Sequence, residues 1–242
     1  MSFRALLHLC FVLLITGITA GCVSMPPWGV HPELEKRARS IHTVALARPD
    51  VKIYQLTAGG MTELMDDWCE KGERNMTASV SQILAKRSIK TRLLTIDAAG
   101  EGELEDVSNL FSAIAYSINL HTLQTPEMFP EKRLHFEYSV GSLDRLLRQS
   151  NADALLLLYG YDEISTGGRK ALMAVSSVFG IVTGNAGPHK GVTVVAAGLF
   201  DRSGALLWYD DLGAAGGFDL RDSDSMEQAM ESLLARFPRL GK

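Results

Sequence analysis

An α/β fold is predicted for this chain: one domain with a mixed β-sheet packed by helices, closed by an antiparallel hairpin and a last helix. Three observations carry the prediction. "ADALLLLYGYDEI" is a continuous apolar run of the kind a strand buried on both faces requires. Stretches with helical spacing of apolar residues alternate with shorter β-branched runs. Near the end, "GVTVVAAGLF" and "ALLWYDDL" flank Asp201-Arg202-Ser203-Gly204, two strand-like runs around a turn that ends in glycine.

The elements follow in order from residue 41. Ile41 to Ala47 is an apolar, β-branched run ended by Arg48-Pro49, a first strand. Val51 to Leu56 continues it or pairs with it. Thr62 is placed to cap a long helix reaching about Arg87, with Met61, Met65, Trp68, Met76, Val80, Ile83 and Leu84 mostly at helical spacing. Lys90 to Ile96 is the next strand. Leu104, Val107, Leu110, Phe111, Ile114 and Ile118 line one face of a second helix. Residues 122–138 read as irregular, broken by Pro126 and Pro130. Ser142 to Gln149 is a short helix leading into the buried strand. Ser225 and Gln228 form a capping box for a final helix, Met226 to Arg236, halted by Pro238.

The first 40 residues have a different character. Arg4 precedes an almost wholly apolar stretch from Ala5 to Ile18, and the small residues Ala20 and Gly21 follow. Charged start, short apolar core and small residues at a cut are the layout of a secretory signal. The apolar core is shorter than the roughly 20 residues a spanning helix needs. Thr19-Ala20-Gly21-Cys22 resembles the lipoprotein box of bacteria, in which small residues precede an invariant cysteine. The resemblance implies cleavage between Gly21 and Cys22, with acyl chains on the new terminal amine and on the Cys22 sulfur. A thiol is required because it forms the thioether to diacylglycerol. Each buried methylene contributes about 0.8 kcal/mol, so several chains hold a protein at a membrane. No aspartate follows Cys22, and the sorting rule of enteric-type bacteria then points to the outer membrane, periplasmic face. Pro26, Pro27 and Pro32 stiffen residues 22–40, which read as a tether.

Composition narrows the function classes. The 242 residues carry a formal net charge of −4, which becomes −5 once Arg4 leaves with the signal. Nothing there favours nucleic acid. Three scattered cysteines, Cys10, Cys22 and Cys69, make neither a disulfide framework nor a zinc site. Cys69 reads as a small buried hydrophobe. The histidines are isolated, and neither a His-Glu-x-x-His nor a Gly-x-Ser-x-Gly motif occurs. "GNAGPHKG" (184–191) is glycine-rich but does not match a phosphate-binding loop. Asp66, Asp67, Glu70 and Glu73 crowd one helix beside Lys71 and Arg74, the look of a solvated face. "DLRDSDS" (219–225) lacks the glycine and distal glutamate of a calcium loop and reads as helix capping. No catalytic residue, metal ligand or cofactor is assigned.

"SNADALLLLYGYDEI" and "VTVVAAGLFDRSGALLW" together resemble paired core strands of envelope lipoproteins related to the curli secretion component CsgG and the TolB N-terminal domain. The step "ADA" enters the buried strand, and Asp201, Gly204 and Trp208 occupy the later turn and strand. "VALARP" is similar to the first strand of those proteins. The likeness covers most of residues 41–237 through short motifs, and implies fold and compartment rather than activity. The departure is an insertion, about 165–190, with "KALMAVSSVFGIVTGNAG". Ser176, Gly180 and Gly184 recur there every fourth residue, a spacing that lets helices approach closely. One reading is a surface for self-association or for contact with membrane or protein; the other is a segment covering the sheet. The insertion lacks the alternation of pore-forming strands. The function expected is a non-catalytic accessory or scaffold in envelope assembly or export, acting through protein contacts. A periplasmic cell-wall hydrolase and a small-ligand-binding lipoprotein are the alternatives.

Two outcomes are expected. The purified natural protein should begin at Cys22 with acyl groups attached, read by intact-mass spectrometry; an unmodified sulfur or a retained leader would reject the anchor. Replacing Gly180 and Gly184 together with leucine should reduce any self-association, and an unchanged particle mass by light scattering would reject that role.

Overall fold

The computed structural model describes residues 28–120, 129, 131–132, 135–168, 191–215 and 217–241. The signal, Cys22, and Ser176, Gly180 and Gly184 lie outside them. The strands are β1 (Trp28–Val30), β2 (Thr43–Leu46), β3 (Asp50–Leu56), β4 (Thr62–Leu64), β5 (Lys90–Leu93), β6 (Ala154–Ser165), β7 (Val192–Asp201) and β8 (Leu206–Ala215). The helices are α1 (Leu34–Ala38), α2 (Asp66–Lys86), α3 (Ala98–Ile118), α4 (Asp144–Gln149) and α5 (Ser223–Leu233), the last followed by a 3₁₀ turn, Leu234–Arg236.

All eight strands form one mixed sheet in the order β1-β8-β7-β6-β2-β5, with β3 on β6 and β4 on β3. Strand β6 is the axis. Its first half pairs in parallel with β2, Val44 opposite Ala154, and its second half in parallel with β3, Asp50 opposite Tyr159. Strands β2 and β3 are therefore successive partners of one long strand. The break between them is Ala47-Arg48-Pro49, where proline has no N–H to give to the ladder. Along its other edge β6 pairs antiparallel with β7, and β7 with β8.

Alternation along the strands divides the core in two. Ala154, Leu156 and Leu158 of β6, with Val195, Ala197 and Leu199 of β7, face α2 and α5. Leu155 and Leu157, with Ala196 and Phe200, face α3 and α4. We call these the first and second faces. The mixed α/β sheet, the terminal hairpin and the last helix are all present as expected. A bulge at Leu199/Phe200 lets Leu207 and Trp208 both enter the first core, while Leu206 and Tyr209 enter the second. Trp208 is fully buried, edge-on to Phe237 with ring centroids 5.1 Å apart. Cys69 is buried, its sulfur accepting from the Ile53 amide at 3.2 Å.

The β7–β8 turn is built around Asp201. Its Oδ1 accepts from the Ser203 amide at 2.9 Å and its Oδ2 from Arg37 of α1 at 2.7 Å. Gly204 has φ +80°, and a Cβ there would lie 1.6 Å from the Gly141 carbonyl oxygen, so glycine is required twice over. At Gly198 a Cβ would come within 2.7 Å of the Phe111 ring, which lies against the bare strand.

Three local expectations differ. Thr62 does not cap α2: Thr62–Leu64 pairs antiparallel with Tyr54–Leu56, and the helix starts at Asp66. The cause is a tight turn at Thr57–Met61 with Gly60 at φ +84°, which folds the chain back before the helix can begin. Of the tether expected over 22–40, Trp28–Val30 instead form β1, paired with β8, and Leu34–Ala38 form α1. Pro32 falls in the turn between them. Helix α5 starts at Ser223, with Asp222 as its cap accepting from the Ser225 amide at 2.9 Å; Ser225 is an inner residue.

Leu156→Ala should lower unfolding free energy by about 2–5 kcal/mol, since β6 is enclosed on both sides. Gly198→Val should cost about 1–3 kcal/mol by displacing Phe111. Urea titration followed by tryptophan fluorescence checks both.

Candidate functional site

Ligands of open α/β sheets bind beyond the carboxyl ends of strands, where neighbouring connections leave to opposite faces. Here that place is between β2 and β5, because α2 enters β5 from the first face and α3 leaves it on the second. An open crevice of about 480 Å³ lies there, lined by Arg48, Leu93 and α2 residues from Glu70 to Ser81. Leu93 is 63% exposed in its wall. The crevice brings Glu70 and Glu73 together but does not include Asp66 or Asp67. Glu73 receives Nε of Arg48 at 2.7 Å and Nη2 at 2.6 Å. Glu70 faces Arg74 at 3.5 Å. Asp66 and Asp67 sit exposed in the first turn of α2, where negative charge suits the helix dipole. Each crevice carboxylate thus meets an arginine.

Two buried carboxylates were not singled out from the sequence. Asp162, on the first face of β6, is 1% exposed. Its oxygens accept from the Thr193 hydroxyl at 2.8 Å and the Leu220 amide at 3.0 Å. Burial pushes its carboxyl above the ordinary range, against the opposing effect of those two donors. Asp210 of β8 is equally buried and receives Nε and Nη2 of Arg236 at 3.1 and 3.2 Å. Burial raises it too, and Arg236 opposes the rise. Both anchor the chain after β8 to the sheet. Arg221 strengthens the same tie: its guanidinium forks onto Asp219, at 3.0 and 2.8 Å, and lies 4.1 Å over the Trp68 ring. The signal for these aspartates was their inward phase in two apolar strands, "LYGYDEI" and "LLWYDDL".

Among the described residues, helices cover the second face only in part. Toward the carboxyl end of β6, Leu64 is opposite Tyr54 across β4 and β3, and Tyr161 is opposite Val194 across β6 and β7, while Tyr54 lies diagonally from Tyr161, two positions beyond its register partner Lys52. Leu64 is 44% and the nearby Val192 39% exposed, and Tyr54, Tyr161 and Val194 are half-buried. Tyr54 and Tyr161 rings lie 5.4 Å apart. The Tyr161 hydroxyl donates to Glu163 at 2.6 Å, and burial first, then that carboxylate, raises its pKa. Asp50 and Lys52 pair at 3.0 Å along the rim. An apolar strip with a charged rim is the composition of a protein-contact surface.

Among the described residues no cluster of histidine, cysteine and acids could hold a metal ion, and no helix is long and apolar enough to cross a membrane. His31 is buried, its Nδ1 accepting from the Glu33 amide at 3.0 Å. Gly21, Cys22, Ser176, Gly180 and Gly184 fall outside the description, and the structure neither joins nor separates them. No family model matches this chain, and comparison with curated proteins and with solved structures found no match.

A pH test follows from Asp162. Its folded carboxyl binds a proton more tightly than the unfolded one, whose ordinary value is 3.8. Its contribution is therefore most favourable below that value and declines as pH rises through the folded value. The stability difference between the native chain and Asp162→Asn should shift toward the variant over that interval. Thermal melts at stepped pH read the shift, and a pH-independent difference would contradict the assignment.

Proposed function

We propose that this protein is a lipid-anchored envelope protein of the outer membrane's periplasmic face, and that it works as a non-catalytic accessory in envelope assembly or export by binding other proteins. The observation carrying the reading is the strip Leu64–Tyr54–Tyr161–Val194, an apolar, aromatic band left on the second face of the sheet. Tyrosines are favoured contact residues because they offer a large rigid surface with one polar end. The box Thr19-Ala20-Gly21-Cys22 supports the compartment. With β1 starting at Trp28, the chain from Cys22 reaches at most about 20 Å, so the anchor would hold the β1 edge of the sheet close to the bilayer. The Arg48–Glu73 and Arg74–Glu70 pairs favour this reading over the hydrolase alternative.

Crosslinking in intact envelopes followed by affinity purification tests it. The native chain should recover one or more envelope proteins. The double variant Leu64→Glu, Tyr161→Ala should lose most of that recovery, since truncating a central aromatic contact costs about 2 kcal/mol or more. Recovery of monomer alone, or equal recovery by the variant, would overturn the proposal.

A further inference from the structure

A second cleft, of about 580 Å³, lies at the opposite end of the parallel strands from the Glu70–Glu73 crevice. Its walls are the residues ahead of β2, the turn from α2 into β5, and the chain after the 3₁₀ turn. That size suits a small organic ligand. Three side chains around it are cationic or imidazole: Arg87, Arg239 and His42. Ile41, Ile89, Phe237 and Leu240 add apolar lining, and among the described residues no aspartate or glutamate lines it.

Nearby negative groups are already committed. Asp153 Oδ2 accepts from the His42 and Thr43 amides, both at 3.0 Å. Glu227 pairs with Lys86 at 3.2 Å. The carboxyl end of a helix ordinarily repels an anion. Here two of the last α2 carbonyls are occupied: Leu84 O accepts from the Arg87 and Ile89 amides at 3.1 and 3.0 Å, and Ala85 O from the Ser88 amide at 2.9 Å. Arg87 donates through Nη1 to the Leu234 carbonyl, one of the five N–H bonds a guanidinium carries. That bond aligns Arg87 and leaves donors for a ligand. The far wall is fixed by Gly241, whose amide donates to Ala38 O at 3.0 Å, and by Phe237 against Trp208.

We infer that this cleft binds a phosphate monoester carried on an apolar body. Arg87 and Arg239 take the phosphate, whose charge near neutrality, about −1.5 to −2, matches two guanidinium groups. The apolar part rests on Ile41, Ile89, Phe237 and Leu240. Such a phosphate occurs both in soluble compounds and in lipid headgroups. The inference does not depend on the anchor or on the tyrosine strip, and its test touches neither.

The full chain in detergent micelles is titrated with phenyl phosphate by calorimetry, with benzyl alcohol as the uncharged control. The chain is also measured on phosphatidylcholine vesicles with and without phosphatidic acid. Saturable binding of phenyl phosphate, or tighter association with phosphatidic acid vesicles, is expected; the first alone identifies a soluble source, the second alone a lipid. Arg239→Glu, at an exposed position, and Arg87→Gln, which keeps a donor for Leu234, should each weaken binding roughly tenfold or more. Arg74→Glu, the same charge reversal in the other crevice, should leave it unchanged. Circular dichroism melts confirm that the variants are folded. Absence of binding in both arms, binding indifferent to Arg239→Glu and Arg87→Gln, or equal loss in Arg74→Glu would overturn the inference.

Discussion

Burial of β6 on both faces is the constraint on which the rest of the structure depends. From Ala154 to Leu158 every side chain is at most 4% exposed. A strand enclosed in this way needs a partner on each edge and a helical layer on each face, because its backbone groups and both sets of side chains must leave water together. Strand β7 supplies one edge, and β2 and β3 share the other. Helices α2 and α5 close the first face; α3 and α4 close the second. Full burial of each leucine contributes about 1.5–3 kcal/mol, so this short segment concentrates much of the apolar driving force.

The two faces are finished differently. On the first, the chain after β8 is drawn over the end of the sheet by charged and polar ties: Asp162 to Leu220, Asp210 to Arg236, and Arg221 between Asp219 and Trp68. Buried carboxylates are costly, and each is tolerated because donors already aim at both of its oxygens. On the second, α3 and α4 cover the amino-terminal half of β6, and the tyrosine strip begins where that cover thins. Among the described residues the two faces are therefore covered unequally.

The parallel strands also separate two clefts by charge. The crevice at their carboxyl ends has two arginine–glutamate pairs, so its charges are internally matched. The cleft at their amino ends has cations and, among the described residues, no lining aspartate or glutamate. The difference arises because α2 runs the length of the first face. Its acidic early turns border one cleft and its basic exit, Lys86-Arg87, borders the other. The same gradient opposes the dipole of α2 at both ends, which stabilises the helix and sorts the charge around the sheet.

By itself the sequence determined the α/β class, the doubly buried strand, the terminal hairpin with its glycine, and the burial of Cys69. These rest on local period and turn chemistry, which are written in neighbouring residues. It also carries the motif Thr19-Ala20-Gly21-Cys22, which is read from neighbouring residues and needs no fold. Tertiary structure alone decided that β2 and β3 share one edge of β6, that Trp28 belongs to the sheet, and that Thr62 pairs instead of capping. It likewise decided that Asp162 and Asp210 face inward onto partners 58 and 26 residues away in the chain. Leu64, Tyr54, Tyr161 and Val194 came onto one face only through strand pairing, and Arg87 and Arg239 came to line one cleft only through the tertiary fold. The physical reason is common to all of these: pairing and ion contacts between distant residues depend on which segments the hydrophobic layers bring together, and no local pattern encodes that choice.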